Sequence, residues 1–209
     1  MTPEFFYFDI GNVLLTFDHG RMCRQMAEVA GVSAEVVQWA ILPNDDAGDV
    51  QWKLESGELN EDEYYEHVCQ AVGARPPREE LEQAASDIFG EIPETLELVR
   101  KLAAGGRRLG LLSNTNGIHW RHFFDGGYPV LEECFEVPLA SFQVGSMKPE
   151  PAIYLAAVEK AGLPAEKVFF VDDKPENVAG ALECGLDAVH FTGAPQLARD
   201  LANRGVEIA

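Results

Sequence analysis

Cysteine is scarce in this chain, and its four copies are widely separated. Cys23, Cys69, Cys134 and Cys184 form no CxxC pair and no cluster with histidine at the spacing of a metal site. We therefore expect four small buried side chains, and neither a zinc site nor a redox pair nor a disulfide framework.

Long apolar runs and a basic leader are also missing. No stretch approaches the ~18 to 20 apolar residues that a membrane span requires. Residues 1–9 have no basic side chain and carry an acid within their only apolar run. The sequence predicts neither a signal peptide nor a membrane helix, and the cytoplasm is the expected location.

Basic residues are few beside the acidic ones. Lysine and arginine number 16 and aspartate and glutamate 35, which gives a formal net charge of −19. A surface of this sign repels nucleic acid and anionic lipid, so neither is an expected partner. An anionic substrate would need a locally positive pocket or a bound cation.

The 209 residues are enough for one domain of ordinary size, with or without a small insert. Helical patterns separate apolar runs of strand length, and two of these helices begin at Pro93 and Pro149 and close on glycine. This alternation predicts a parallel sheet covered by helices. The apolar runs are residues 4–9, 108–113, 167–172 and 187–191.

The alternation stops between residues 18 and 90, where only helical patterns follow one another. Asn60 and Glu63 have the spacing of a capping box at the start of one of them. We predict an α/β fold with a Rossmann-like, doubly wound parallel sheet in residues 1–17 and 91–209, and a small all-α cap at 18–90 inserted after the first strand. The cap helices are predicted at 21–30, 33–41, 45–55, 60–72 and 78–89, with Trp39 and Trp52 in their core.

Three of the predicted strands end in short side chains that carry oxygen. Asp9 ends the first, Ser113 begins a Ser-Asn-Thr-Asn run after the second, and Asp172 and Asp173 end the third. The carboxyl ends of parallel strands meet at one edge, where ligands bind. Converging carboxylates repel one another unless a cation lies between them, and oxygen ligands of this kind suit Mg²⁺.

A second positive charge stands at Lys148, just ahead of the helix that Pro149 begins. The N-terminus of a helix attracts anions through its free N–H groups and its dipole. A phosphate group could therefore be held by the cation, Lys148 and the Ser113 hydroxyl in a chain that is otherwise acidic.

These motifs, in this order and at this spacing, resemble motifs I to IV of the haloacid dehalogenase-like hydrolase superfamily. The resemblance covers nearly the whole chain, and the helices at 18–90 match that family's C1-type cap. Within the family, the sequence is most similar to bacterial α-D-glucose-1-phosphate phosphatases and to phosphatase domains like those of epoxide hydrolases. The matching stretches are Phe8–Val13, Leu112–Asn116, Lys148–Tyr154 and Phe169–Asp173.

The resemblance implies phosphoryl transfer in two steps, in which Asp9 attacks phosphorus and water then hydrolyses the aspartyl phosphate. It also implies a Mg²⁺ cofactor held by Asp9, the carbonyl of Gly11 and Asp173, with Asp172 beside it.

For the phosphate group, the resemblance implies that Lys148 offsets negative charge on the nucleophile and on the transferred group. Ser113 and Asn114 would bind the remaining phosphate oxygens. Asn177 is placed to orient Lys148 or a water on the metal.

The sequence departs from the family at Gly11, where related phosphatases usually carry a second aspartate that acts as general acid and base. General acid–base catalysis typically raises the rate of such a reaction ~10²–10⁴-fold. Three explanations are open. The leaving group could need little protonation, as the anomeric oxygen of a sugar 1-phosphate does, and we rank this first. Asp18 or His19 could substitute, or the protein could turn over slowly or not at all.

The function expected from these residues is Mg²⁺-dependent hydrolysis of a small phosphorylated metabolite, most plausibly a sugar phosphate, by a monomer or homodimer. One alternative is a vestigial phosphate-binding domain without turnover. A less favoured alternative is a 2-haloacid dehalogenase, which would use Asp9 without a metal.

The leaving-group explanation predicts a strong preference for glucose 1-phosphate over glucose 6-phosphate, because the anomeric oxygen departs more easily than an ordinary alkoxide. Phosphate release from the two esters, measured side by side with Mg²⁺, tests it. Equal rates would reject this explanation, but they would not contradict the prediction that the protein is a phosphatase.

Overall fold

The structure of the protein is a computed structural model that describes residues 2–42 and 50–208. Its central feature is a parallel sheet of five strands in the order β5-β4-β1-β6-β7, beside a two-stranded antiparallel pair, β2 and β3. The strands are β1 (Phe5–Phe8), β2 (Leu15–Phe17), β3 (Phe89–Glu91), β4 (Arg108–Ser113), β5 (Val137–Ala140), β6 (Val168–Asp172) and β7 (Asp187–His190).

Helices surround this sheet and fill the segment between β2 and β3. They are α1 (His19–Ala30), α2 (Ala34–Ile41), α3 (Val50–Ser56), α4 (Glu61–Val72), α5 (Arg78–Ser86), α6 (Pro93–Ala104), α7 (Gly117–His122), α8 (Pro129–Cys134), α9 (Ser141–Val144), α10 (Pro151–Ala161), α11 (Pro175–Glu183) and α12 (Ala194–Asn203). The segment Phe123–Gly127 is a kinked turn with non-helical backbone angles at Phe124, Asp125 and Gly126, and Ala165–Lys167 forms a 3-10 turn.

The middle strands are apolar along their whole length because helices cover both faces of the sheet. Every residue of β1 and β6 is buried. Phe6 pairs with Leu109 on one side and with Phe169 on the other. The predicted Rossmann-like parallel sheet is confirmed, and each of the four predicted strands is present within a residue or two of its expected ends.

Three strands were not predicted. The edge strand β5 contains Pro138, which a sequence pattern associates with a loop and which an edge position tolerates. β2 and β3 have only three residues each, too few for a strand pattern. Phe89, predicted to lie in a helix, belongs to β3 because α5 ends at Ser86.

The helical insert, defined here as α1 to α5, has its own apolar interior. Met26, Val37, Val68 and Leu81 from four of its helices are almost fully buried there. The capping box at Asn60 is confirmed, since Asn60 Oδ1 accepts from the Glu63 N–H and Glu63 Oε2 accepts from the Asn60 N–H, both at 3.0 Å.

Parts of the predicted insert differ from the structure. The helix predicted at 45–55 is described only from Val50, and residues 43–49 lie outside the described residues. Trp39 and Trp52 are 51% and 40% exposed, so their predicted place in the core is wrong. In α2, for example, the buried face carries Val37, Ala40 and Ile41, and Trp39 falls on the other side.

Cys23 and Cys69 are buried, Cys134 and Cys184 are half-buried, and all four are free thiols. Within residues 2–42 and 50–208, each helix is too short or too polar to cross a bilayer.

One buried hydroxyl in the sheet-covering helices has no hydrogen-bond partner in the described part of the chain, that of Thr95 in α6. Burying an unpaired hydroxyl costs about 1–3 kcal/mol. We expect Thr95→Val, which keeps the shape, to raise the free energy of unfolding by about 1 kcal/mol in urea denaturation. Thr16→Val is the matched control, because the Thr16 hydroxyl donates to the Gly90 carbonyl. A stability loss for Thr95→Val would contradict the expectation.

Candidate active site

A cavity of about 480 Å³ opens at the edge of the sheet where the parallel strands end. Its floor comes from the carboxyl ends of three strands, with Asp9 after β1, Ser113 at the end of β4 and Asp173 after β6, together with Lys148 from the turn before α10. Its other walls come from the helical insert and from β2 and β3. The topology therefore brings together four stretches of chain that are distant in sequence.

Lys148 occupies the centre of the floor and is almost fully buried. Its Nζ lies 2.9 Å from Asp9 Oδ1 and 2.6 Å from Asp172 Oδ2, and it also donates to the carbonyl of Leu112 at 2.9 Å. These three acceptors match the three donors of an ammonium group, so the buried charge is fully paired.

The backbone around Lys148 is held as firmly as its side chain. Asn114 Nδ2 donates to the Lys148 carbonyl at 2.9 Å, and Asn114 Oδ1 accepts from the Lys148 N–H at 2.8 Å. The next residue, Pro149, follows a cis peptide bond. Its carbonyl packs against α11 at Gly180, where a Cβ would come within 2.6 Å. The side chain of Asn114 thus positions the lysine, and its backbone remains the part that could bind substrate.

Asp172 is completely buried behind Lys148. Besides the ammonium, its carboxylate accepts from Asn177 Nδ2 at 3.0 Å and from the Lys174 N–H at 2.8 Å. Asp172 does not line the cavity. Asn177 therefore acts on Lys148 through Asp172, and the role that this geometry favours for Asp172 is to position Lys148.

Asp9, Asp172 and Asp173 form an acidic cluster in which one oxygen of each lies within 4.8 Å of the others. Asn12, in a left-handed turn with φ of 55°, donates to Asp173 Oδ2 at 3.0 Å and fixes its orientation. With Lys148 as the one ammonium among them, three ionised carboxylates leave two negative charges unbalanced. A hard divalent cation has the charge and the ligand preference that this set of oxygens requires.

Burial and the neighbouring charges shift the pKa values of Asp9 and Lys148. Burial raises the pKa of Asp9, the Lys148 ammonium opposes it, and the neighbouring Asp172 adds to it, so that the pKa of Asp9 rises to about 7. Burial alone lowers the pKa of Lys148, but the two carboxylates outweigh it, and the pKa of Lys148 is raised above its usual value. The lysine stays charged, and Asp9 needs a further cation to be fully ionised at neutral pH.

Ser113 ends β4 with its side chain on the cavity wall. The residue is only 3% exposed and borders the cavity. A hydroxyl in this position is available to an oxygen of a bound ligand.

Side chains of the helical insert also face the cavity, among them Trp52, which the sequence predicted in the core of the insert, and two that sequence patterns did not mark. Gln51, Trp52 and Glu55 contribute from α3, and Gln51 Nε2 donates to Glu55 Oε1 at 2.9 Å. No motif points to them, because helical periodicity does not tell which face of a short helix meets another element.

The two candidates for a substitute acid, Asp18 and His19, differ in their position relative to the cavity. Asp18 caps α1, where its Oδ1 accepts from the Arg21 N–H at 2.8 Å, and it is not part of the cavity wall. His19 lines the cavity, and its ring lies against Phe17 with centroids 5.0 Å apart.

His119 connects the core to the helical insert. Its Nδ1 faces the Asn116 amide at 3.2 Å, so its Nε2 carries the proton and donates to the Ala85 carbonyl of α5 at 3.2 Å. Burial lowers the pKa of His119 to about 4. The ring is therefore neutral and serves as a structural link.

The family model described as haloacid dehalogenase-like hydrolase matches residues 6–185 of this chain. D-ribitol-5-phosphate phosphatase of Bacteroides thetaiotaomicron is 27% identical over 190 residues, which cover 86% of this chain and 87% of that protein. Flavin mononucleotide hydrolase 1 of Arabidopsis thaliana is 37% identical over 65 residues, 31% of this chain and 26% of the plant protein. The chain thus matches only about a quarter of that enzyme's length.

A solved structure gives the same result at the level of the fold. The HAD family enzyme of Bacteroides thetaiotaomicron in complex with magnesium and inorganic phosphate aligns with a TM-score of 0.75 at 25% identity. The alignment covers 90% of this chain and 93% of that one.

The raised pKa of Asp9 predicts how the metal-free protein responds to pH. A carboxyl whose folded pKa of about 7 exceeds its unfolded value of 3.8 stabilises the fold fully at low pH, and loses that contribution as the pH rises through 7. Asn does not titrate. In EDTA, the stability of Asp9→Asn relative to wild type should therefore increase between pH 5 and pH 8, by about 2 kcal/mol. Guanidinium unfolding at both pH values measures this, and a difference independent of pH would disprove it.

Proposed function

Because the chain belongs to the haloacid dehalogenase-like hydrolase family, we propose that it is a Mg²⁺-dependent phosphatase of small sugar or polyol phosphates. The observation that carries the proposal is the cavity floor, where Lys148 Nζ lies 2.9 Å from Asp9 beside the oxygens of Asp173. A nucleophilic carboxylate, a fixed ammonium and a cation site are the parts that phosphoryl transfer requires.

The oxygens in the cavity fit a magnesium ion in number, charge and kind. Asp9, Asp173 and the carbonyl of Gly11 would hold it, with Asp172 behind them. When bound, the ion supplies positive charge that neutralises a phosphate oxygen next to the nucleophile.

The residues of the chain perform the remaining steps. Asp9 attacks phosphorus and displaces the alcohol, and water then cleaves the aspartyl phosphate. Lys148 compensates negative charge on Asp9 and on the transferred group, while the Ser113 hydroxyl and the backbone N–H of Asn114 bind phosphate oxygens. Catalysis of this kind depends on the alignment of the reacting groups, and the hydrogen bonds and ion pairs that hold Lys148 in place contribute to it.

The substrate class follows from the relatives and from the cavity wall. D-ribitol 5-phosphate and flavin mononucleotide, named in the two curated relatives, share a phosphorylated ribityl chain. In this protein Gln51 and Glu55 offer donor and acceptor atoms to hydroxyl groups, and Trp52 offers an apolar surface. We propose a hydroxylated chain or ring as the part of the substrate beyond its phosphate.

The helical insert is proposed to act as a C1-type cap over the cavity, with residues 18–90 as the cap and residues 1–17 and 91–209 as the core. Arg121 of α7 pairs with Glu61 at 2.7 Å and with Glu82 at 3.0 Å, both in the insert. Ser141 Oγ donates to the Glu55 carbonyl at 2.6 Å. The ion pairs of Arg121 are partly exposed and therefore weak enough to break when the cap opens.

The proposal predicts phosphate release from D-ribitol 5-phosphate, flavin mononucleotide, glucose 1-phosphate or glucose 6-phosphate in the presence of Mg²⁺. Asp9→Asn should abolish release because no nucleophile remains, and EDTA should do so reversibly. A malachite green assay measures both effects. Asp125→Asn is a matched control, since Asp125 lies exposed in the turn after α7, away from the cavity wall.

Other outcomes favour the alternatives. Absence of release from every ester, with the Mg²⁺-loaded wild type folded, would support a non-catalytic phosphate-binding domain. Release of chloride from a 2-haloacid that persists in EDTA would support dehalogenation.

A further inference from the structure

Asp173 is held in a different way from the other two carboxylates of the acidic cluster. The Lys148 ammonium forms ion pairs with Asp9 and with Asp172, so it fixes both of them. Within residues 2–42 and 50–208 Asp173 forms no ion pair, although one of its oxygens belongs to the same cluster. Its orientation therefore depends on partners other than the lysine.

We propose that Asn12 and His190 are positioning residues that set the affinity of the cavity for its divalent cation. In the function proposed above, on which this inference rests, Asp173 is a ligand of that cation. Asn12 holds the carboxylate of Asp173, and His190 holds its backbone. The two residues reach Asp173 from the strands on either side of β6.

The Asn12 side chain binds the carboxylate directly. Its Nδ2 donates to Asp173 Oδ2 at 3.0 Å, although 161 residues separate the two in sequence. The contact joins the turn after β1 to the turn after β6, and these strands are neighbours in the sheet. An amide N–H supplies a hydrogen bond without a positive charge. Asn12 thus restricts the rotation of the Asp173 side chain and leaves the negative charge that a cation requires.

The backbone of Asn12 gives this side chain a fixed origin. Its φ of 55° lies in the left-handed region, which asparagine adopts more readily than most residues other than glycine. The Asn12 N–H donates to the Leu15 carbonyl at 2.7 Å. The Leu14 and Leu15 N–H groups both donate to the Ile10 carbonyl at 2.9 Å. Because Ile10, Leu14 and Leu15 are buried, the turn is anchored on the hydrophobic core.

His190 acts on the other side of Asp173. It ends β7, which pairs with β6 on the side opposite to β1. Its Nε2 lies 2.9 Å from the backbone carbonyl of Asp173. A carbonyl oxygen only accepts hydrogen bonds, so Nε2 carries a proton and donates it. This hydrogen bond fixes the backbone from which the Asp173 side chain extends.

A side chain that is already oriented loses less conformational freedom when it binds a cation. Mutation of the groups that hydrogen-bond to metal ligands typically costs 10–100-fold in metal affinity. Asn12 and His190 need not touch the cation for this effect, because both act through Asp173. They are therefore positioning residues and not catalytic ones.

The test measures Mg²⁺ binding by the full chain in the absence of substrate. The melting temperature of the metal-free protein, recorded against rising Mg²⁺ concentration, gives an apparent Kd for each variant. For Asn12→Gly we expect this Kd to rise about 10–100-fold, because glycine keeps the left-handed turn and removes the amide. His190→Phe should raise the Kd by a smaller factor, because the lost N–H holds the backbone of Asp173 and not its carboxylate.

A conservative variant and two controls separate positioning from a general effect on the fold. His190→Gln keeps an N–H donor of similar reach and should retain the wild-type Kd. Asn203→Gly changes an exposed residue at the end of α12, and His67→Phe removes a hydrogen bond to the Ala40 carbonyl in the helical insert. Both positions lie outside the cavity wall. These controls should keep the wild-type Kd, whatever their melting temperature without Mg²⁺.

A wild-type Kd in Asn12→Gly or in His190→Phe would overturn the inference. A loss of affinity in His190→Gln or in the controls as large as that in His190→Phe would overturn it as well. A wild type whose melting temperature does not respond to Mg²⁺ would instead reject the cation site, and with it the proposed function. The two failures are distinguishable, because the first leaves Mg²⁺ binding by the wild type intact.

Discussion

The buried ion pairs of Lys148 are the interaction on which the rest of this molecule depends. A lone ammonium cannot be buried at acceptable cost, and it is stable here because Asp9, Asp172 and the Leu112 carbonyl accept hydrogen bonds from all three of its N–H groups. Each acceptor belongs to a different strand of the sheet or its end. The lysine therefore locks the ends of β1, β4 and β6 into one geometry.

The same cluster reconciles a chain of net charge −19 with an anionic substrate. Lys148 balances one carboxylate of the three, and burial together with the neighbouring Asp172 raises the pKa of Asp9. A divalent cation would restore the balance and keep Asp9 ionised, as the proposed nucleophile must be. The local field at the cavity floor can then attract phosphate, although the surface as a whole repels it.

Most of the floor could be predicted because its signals are local in sequence. Asp9, Ser113 and Asp173 each follow an apolar run, and the edge at which parallel strands end is fixed by topology. The backbone or the side chain of Asn114 was predicted to contact phosphate; the side chain is hydrogen-bonded to the Lys148 backbone instead, which leaves the backbone N–H for that role. No spacing rule predicts that contact, because it joins two loops separated by 34 residues.

The sequence by itself determined the order along the chain of four of the five strands of the main sheet, the helical patterns that follow the first of them, and the set of polar residues at the strand ends, because periodicity, caps and charge are written in neighbouring residues. Only the tertiary structure decided which side chains of the insert face the cavity. Trp52, expected in a core, lies on its wall, and His19 rather than Asp18 is found there. The reason is physical: the angle at which a short helix packs depends on contacts from distant parts of the chain, and a rotation by one residue, about 100°, moves a side chain off the inner face.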